Sequence, residues 1–133
     1  MIVLDASAAV AVFLNSGPMV ARLRRRIAET DETLHVPHLF DVEMLHVLRR
    51  HSLVGNLSEA RGRLALDRLS NTKLVRYPHT ILMKRIWSLR DNLTAYDAAY
   101  VALAEALDAP LVTSDARLAR TPGIRAAVEV YGQ

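Results

Sequence analysis

The stretch "PLVTSDARLA", residues 110–119, resembles the start of the chain, "MIVLDASA", residues 1–8. In both, a short apolar run runs into an acid, which is Asp115 in the first stretch and Asp5 in the second. An ionised carboxylate at the end of a buried segment costs free energy unless something compensates it. Ligands of parallel sheets bind beyond the carboxyl ends of the strands, so we expect both acids at one crevice if these strands are neighbours.

The rest of the chain alternates strand-like and helix-like segments. Short apolar runs predict strands at residues 2–5, 33–37, 73–78, 111–114 and 127–131. Helical periodicity predicts helices at residues 8–15, 18–27, 38–52, 58–69, 82–93 and 96–107, with a further turn after residue 115. Strands interleaved with helices indicate an α/β fold, a parallel sheet covered by helices on both faces.

Composition indicates one globular domain, residues 1–133, of 14.8 kDa. With 51% hydrophobic and 23% charged residues, the chain falls outside the disordered class. It has no cysteine, which excludes a disulfide framework and a thiolate metal site and suits a reducing cytoplasm. Its longest apolar run, residues 8–14, is too short for a membrane span, so we expect no membrane partner.

Two further acids stand where an acid is not the easy choice. Glu43 lies in the apolar helix segment "LFDVEMLHVL", and Asp97 opens the helix at 96–107. A structural role is the alternative for each: Glu43 pairs with Arg50 or His46, and Asp97 completes a capping box with the residue three positions before it.

Asp5 and Asp115 have structural alternatives as well, as N-caps of the helices that follow them. Ser7 and Thr113 each lie two residues from one of these acids, where a hydroxyl either holds the carboxylate or caps a turn. None of these local roles predicts that the four acids converge. Converging carboxylates repel, and a shared divalent ion removes the repulsion.

Oxygen ligands without cysteine favour Mg²⁺ or Mn²⁺ over Zn²⁺. The net charge of +3 hides an uneven distribution, because all 17 basic residues except Lys73 and Lys84 are arginine, the side chain best suited to phosphate. A metal, water and surrounding arginines suit phosphodiester hydrolysis. The candidates for RNA contact are Arg22, Arg25, Arg26 and Arg117; the alternative is a solvated helix face.

Four motifs in order, "IVLDASA" (2–8), "EMLHVLRR" (43–50), "YDAAYVALAEAL" (96–107) and "LVTSDARLA" (111–119), resemble those of PIN-domain proteins. More narrowly, the chain is similar to the VapC toxins of bacterial toxin–antitoxin pairs. The similarity runs over nearly the whole chain.

This resemblance implies a three-layer α/β/α PIN-like domain with a short parallel sheet of four to five strands, the first and fourth adjacent. It implies a Mg²⁺- or Mn²⁺-dependent endoribonuclease with Asp5, Glu43, Asp97 and Asp115 as catalytic residues. Asp5, Asp97 and Asp115 would hold the metal, and Ser7 and Thr113 would support it. It also implies a homodimer and a VapB-like antitoxin partner. His46 departs from a frequent asparagine, and Arg117 stands where some members carry another acid.

The same residues have three alternative interpretations. A receiver domain needs an early pair of acids and a lysine ending a late strand, and neither is present. An aspartyl-phosphate hydrolase needs an acid two residues after Asp5, where Ser7 stands. The third, a catalytically weak PIN fold that binds RNA or protein, stays open at this point.

Overall fold

The computed structural model describes residues 1–29 and 31–132. Its strands are β1 (Ile2–Leu4), β2 (Leu34–Pro37), β3 (Val75–Tyr77), β4 (Leu111–Thr113) and β5 (Val128–Val130). Its helices are α1 (Ala6–Leu14), α2 (Pro18–Ile27), α3 (Leu39–Leu53), α4 (Glu59–Asn71), α5 (Met83–Ser88), α6 (Ala95–Leu107) and α7 (Ala116–Ala119), with a 3₁₀ helix at His79–Leu82. The predicted alternation of strands and helices is therefore confirmed.

All five strands form one parallel sheet in the order β3-β2-β1-β4-β5. The chain moves outward from β1 to β3, then crosses back to place β4 on the other side of β1. The order of strands thus reverses between β1 and β4, in a register that pairs Val3 with Leu111 and Leu4 with Val112. This reversal is the point where parallel α/β sheets bind ligands.

Helices on both faces complete the three-layer α/β/α fold predicted for the chain. Helix α6 packs on β1 and β2, and its run from Ala98 to Ala104 is buried on every side. A helix that is apolar on every side is stable only when all its sides are buried, as they are here. Helix α1 packs against β4 and also contacts α2 and α3. The core is closed by large buried side chains such as Phe40 and Met44 of α3.

One predicted helix is shorter than expected. The apolar spacing of residues 82–93 predicts a continuous helix, but α5 ends at Ser88 and the chain continues in turns. Single-turn hydrogen bonds, such as that from the Leu89 N–H to the Ile86 carbonyl, keep a helix-like spacing through these turns. Leu82 and Leu89 are therefore buried as the pattern predicts, although no long helix carries them.

In the described part of the chain, no single helix is both long and apolar enough to cross a membrane. Helices α1 and α2 meet that test only when taken together, and they are bent by 117° to each other.

Candidate active site

The four acids singled out in the sequence line one open cavity of about 800 Å³. We call it the acidic cavity and define it by Asp5, Glu43, Asp97 and Asp115. Its remaining lining comes from α1, α3 and the start of α6: Ala6, Ser7, Val10, Val42, His46, Val47, Arg50, His51 and Tyr96. The structure thus brings together residues up to 110 positions apart in the sequence.

Asp5 follows β1 directly and lies at the bottom of the cavity. Its backbone N–H donates to the Val112 carbonyl of β4 at 2.9 Å, which fixes it at the reversal of strand order. Although Asp5 occupies the N-cap position of α1, its side chain makes no capping bond. Its side-chain partners are Ser7 and Thr113, so the structural alternative for Asp5 is not what the fold uses.

The hydroxyls of Ser7 and Thr113 each donate to Oδ2 of Asp5 at 2.7 Å. The two hydroxyl oxygens accept in turn from backbone N–H groups beyond β4, those of Ser114 at 3.1 Å and Asp115 at 3.0 Å. Burial raises the pKa of Asp5, while the two hydroxyl bonds favour its ionised form. The hydroxyls therefore hold a carboxylate that burial alone would disfavour.

Glu43 projects from α3 with a partner that the sequence did not suggest. Its Oε1 accepts a hydrogen bond of 2.7 Å from the hydroxyl of Tyr100, a fully buried residue of α6. Neither Arg50 nor His46 pairs with Glu43 within residues 1–29 and 31–132. Burial raises the pKa of Glu43, and the charges of Asp5 and Asp97 raise it further against the effect of Tyr100.

Tyr100 is the site residue that sequence reasoning missed. It lies one turn after Asp97 in α6 and is fully buried, as a core residue would be. A buried tyrosine hydroxyl needs a hydrogen-bond partner, which is the only signal the sequence offers. Burial and the bond to Glu43 raise the pKa of Tyr100 far above its ordinary value, so it acts only as a donor.

Asp97 lies in the first turn of α6. Its backbone N–H donates to the Thr94 hydroxyl at 3.2 Å, so the predicted helix cap is present. The cap leaves its carboxylate facing the cavity, where burial and the charges of Asp5 and Asp115 raise its pKa. For Asp97 the structural alternative is thus present, and its role as a metal ligand stays a prediction.

Asp115 differs from the other three acids because Arg117 already neutralises it. The Arg117 guanidinium donates from Nε to Oδ1 at 3.0 Å and from Nη2 to Oδ2 at 2.5 Å. The Arg117 backbone N–H also donates to Oδ1 at 2.9 Å, the predicted cap of α7. These bonds hold the pKa of Asp115 below its ordinary value.

The three other predicted RNA contacts lie on α2, outside the lining of the acidic cavity. Arg26 is held by Glu129 of β5 and by Glu32, with Nε–Oε2 and Nη1–Oε2 distances of 2.8 Å and 2.6 Å. Arg26 therefore joins α2 to the sheet edge, and RNA contact by Arg26 stays a prediction. Arg22 lies over the Tyr131 ring at 5.9 Å. RNA contact by Arg22 or Arg25 stays a prediction.

The cavity's donors fit a hard divalent cation, since they are carboxylate oxygens supported by hydroxyls. Mutual repulsion among Asp5, Glu43 and Asp97 is the electrostatic strain that such an ion relieves. Among the described residues, however, no three His, Asp or Glu side chains are close enough to chelate an ion as they stand. The pairing of Asp115 with Arg117 also turns both oxygens of that carboxylate to a guanidinium.

The sequence matches one protein family and is similar to proteins named as ribonucleases. The PIN domain family model matches residues 2–124. VapC ribonuclease Mb0985 of Mycobacterium bovis is 51% identical over 121 residues, 91% of each chain. Ribonuclease VapC1 of Mycobacterium tuberculosis is 46% identical over 123 residues, 92% of this chain and 91% of its own.

Solved structures share the fold. PAE2754 from Pyrobaculum aerophilum superimposes with a TM-score of 0.69 at 28% identity, covering 98% of this chain and 83% of its own. VapBC2 from Rickettsia felis, solved bound to a DNA fragment from the promoter, gives a TM-score of 0.70 at 17% identity and covers 98% of both chains.

Proposed function

Because the chain belongs to the PIN-domain family, we propose that it is a metal-dependent endoribonuclease acting at the acidic cavity, the toxin of a VapBC-type toxin–antitoxin pair. Relatives that cover about nine-tenths of the chain are named VapC ribonucleases, which supports ribonuclease activity and the toxin role. The observation that carries the mechanism is that Asp5, Glu43, Asp97 and Asp115 line one cavity at the reversal of strand order.

In this proposal Asp5, Asp97 and Asp115 hold Mg²⁺ or Mn²⁺. The ion supplies Lewis acidity toward the phosphate oxygens and makes water easier to deprotonate. Ser7 and Thr113 keep the Asp5 carboxylate ionised and aimed, since each of their hydroxyls donates to it. Because the site combines one strand end from β1 and one from β4, its geometry depends on the sheet more than on any loop.

Glu43 is the proposed general base. Its pKa is raised by burial and by the neighbouring Asp5 and Asp97, which makes it a better proton acceptor than an ordinary carboxylate. The Tyr100 hydroxyl fixes Oε1 and leaves Oε2 to face the attacking water. Tyr100 positions Glu43 and takes no proton itself, because its own pKa is strongly raised.

The partners follow from the same proposal. The substrate is RNA, the inhibitor is a VapB-like antitoxin, and the chain works as a homodimer in the cytoplasm. The names of the VapC relatives support the antitoxin partner. Co-expression with a VapB-like antitoxin, followed by light scattering, tests the complex and the dimer together.

The decisive experiment compares RNA cleavage by the wild type with that by Asp5→Asn and Asp97→Asn in Mg²⁺ and in EDTA. We expect each variant, and EDTA, to lower the cleavage rate by about 100-fold or more. Asp67→Asn, which removes an exposed carboxylate from α4, is the matched control and should cleave normally. Full-rate cleavage by Asp5→Asn would refute the mechanism. RNA binding without any cleavage by the wild type would favour the alternative, a PIN fold that serves as a binding module.

A further inference from the structure

The acidic cavity extends beyond the four carboxylates that define it. Along α3 its wall continues past Glu43 to His46 and Arg50, which follow at three and seven residues and share the face of Glu43. Seven residues of helix span about 10 Å, which is about the length of three stacked nucleotides of one strand. The cavity thus has an acidic end and, two helical turns away, a basic end.

Arg50 has no structural task at this basic end. It is exposed, and within the described chain it makes no ion pair or side-chain hydrogen bond, whereas Arg26, Arg76 and Arg85 each hold a carboxylate. Its neighbour Arg49 is also exposed but does not line the cavity. A guanidinium that faces a cavity without a partner is suited to a phosphate group.

Tyr96 supplies an aromatic surface to the same cavity. It precedes Asp97 in the first turn of α6 and is 64% exposed. Its ring and hydroxyl have no aromatic or hydrogen-bonding partner among the residues described. By contrast Trp87, the other large exposed aromatic of this part of the chain, is covered by the Arg90 guanidinium at 4.6 Å. Packing in the core therefore does not account for an aromatic residue at position 96.

We infer that Tyr96 and Arg50 form a nucleotide subsite beside the acidic cavity, in which Tyr96 stacks on an unpaired base and Arg50 binds a neighbouring phosphate. The inference rests on the proposed function, because it names how that site grips its substrate. Stacking on an aromatic ring requires a base that is free of its duplex, since a paired base keeps its faces covered. The subsite therefore selects single-stranded segments or loops of RNA.

A binding experiment without cleavage tests the subsite. A fluorescein-labelled single-stranded RNA of 12 nucleotides is titrated in EDTA with wild type, Tyr96→Ala, Tyr96→Phe and Arg50→Gln, and anisotropy is recorded at several salt concentrations. We expect Tyr96→Ala to weaken binding by about 5-fold to 100-fold and Tyr96→Phe to retain it, because stacking needs only the ring. Arg50→Gln should lower the slope of log K against log salt by about 0.7, the loss of one phosphate contact to a single strand.

Matched controls separate the subsite from general charge or exposed aromatic area. Arg49→Gln removes the same charge one residue away, and Trp87→Ala removes an exposed ring outside the cavity; both should bind nearly as the wild type. Tyr96→Ala should leave the affinity for the same RNA in a perfect duplex unchanged. The inference is overturned if Tyr96→Ala binds single strands normally, or if Arg49→Gln and Arg50→Gln act alike.

These outcomes are distinct from failure of the proposed function. If the wild type does not cleave RNA but binds it through Tyr96 and Arg50, the nuclease proposal fails and the subsite stands. If cleavage depends on Asp5 and Asp97 but binding ignores Tyr96 and Arg50, only the subsite fails.

Discussion

The buried hydroxyl of Tyr100 donates a hydrogen bond of 2.7 Å to Oε1 of Glu43 and so joins α6 to α3 across the acidic cavity. The two residues are 57 positions apart, and no other hydrogen bond holds the Glu43 side chain in the described structure. The bond sets both the direction of Glu43 and its affinity for a proton, because a donor stabilises the ionised form. A single hydroxyl thus controls the proposed base.

Tyr100→Phe removes that hydroxyl and keeps the ring. The pKa of Glu43, already raised by burial, rises further, so a smaller fraction of the base is ionised at acid pH. We expect the loss in cleavage rate to be several-fold larger at pH 6 than at pH 8, whereas a merely structural defect would lower the rate equally at both. Tyr77→Phe, which removes a hydroxyl bonded to His35 away from the cavity, should leave the pH profile unchanged.

Asp97→Asn should stabilise the protein while it abolishes activity. Burial and the charges of Asp5 and Asp115 raise the pKa of Asp97 above 3.8, its ordinary value. The folded chain therefore binds this proton more tightly than the unfolded chain, and the resulting stability is lost as pH rises through the folded pKa. Without divalent ions, we expect Asp97→Asn to raise Tm at pH 7 by about 2–4 °C.

The same reasoning gives the pH dependence of this gain. As pH falls toward 4, Asp97 of the wild type becomes protonated in the folded state, and the difference in Tm should shrink. Thermal unfolding followed by circular dichroism between pH 4 and 8 measures it, with Asp67→Asn as the control for removal of a carboxylate outside the cavity. A difference in Tm that does not vary with pH would contradict the assigned electrostatics.

Arg117→Gln should strengthen binding of a divalent ion. Arg117 is an exposed side chain that holds both carboxylate oxygens of Asp115, so an ion competes with it for that ligand. An exposed ion pair is a weak competitor, so we expect Mn²⁺ affinity to rise by no more than about fivefold in calorimetric titration. Arg120→Gln removes a nearby charge that makes no such contact and should change the affinity less. Weaker Mn²⁺ binding by Arg117→Gln would show that Arg117 supports the site.

Glu105→Gln tests the fold independently of the site. Glu105 of α6 accepts from Arg85 Nε at 2.7 Å and from the Arg125 backbone N–H at 2.7 Å, and its side chain is largely buried. The substitution removes the charge of the pair, while Arg85 keeps its bonds to the Gly123 carbonyl and the Ser88 hydroxyl. We expect a loss of about 1–3 kcal/mol in the free energy of unfolding by urea, the range for a weakened hydrogen bond to a charged group. Glu59→Gln breaks the exposed pair with Arg63 and should cost less than about 0.5 kcal/mol. Equal effects of the two substitutions would refute the assignment.

The sequence predicted those features that depend on short stretches. The runs before Asp5 and Asp115 marked two strands, and the rule for parallel sheets placed their ends together. Features that depend on distant partners were not visible. The sequence suggests Arg50 or His46 of the same helix as the partner of Glu43, but Glu43 bonds to Tyr100 of another helix. The arginine cluster on α2 gives no sign that β5 brings Glu129 beside Arg26.

The periodicity of residues 82–93 shows a further limit. Single-turn segments repeat at nearly the spacing of an α-helix, so the pattern cannot tell them from one. The burial of Leu82 and Leu89 followed from the pattern, but the end of α5 at Ser88 did not.

The pairing of β1 with β4 has a consequence for the making of this protein. Asp5 is synthesised well before the strand beside it, which is completed only at Thr113, 108 residues later in the sequence. A nascent chain, or a fragment released by a premature stop codon before β4, therefore lacks one wall of the cavity. We expect any chain that stops before β4 to be inactive as a nuclease, because it lacks both Asp115 and the strand that holds Asp5 in place.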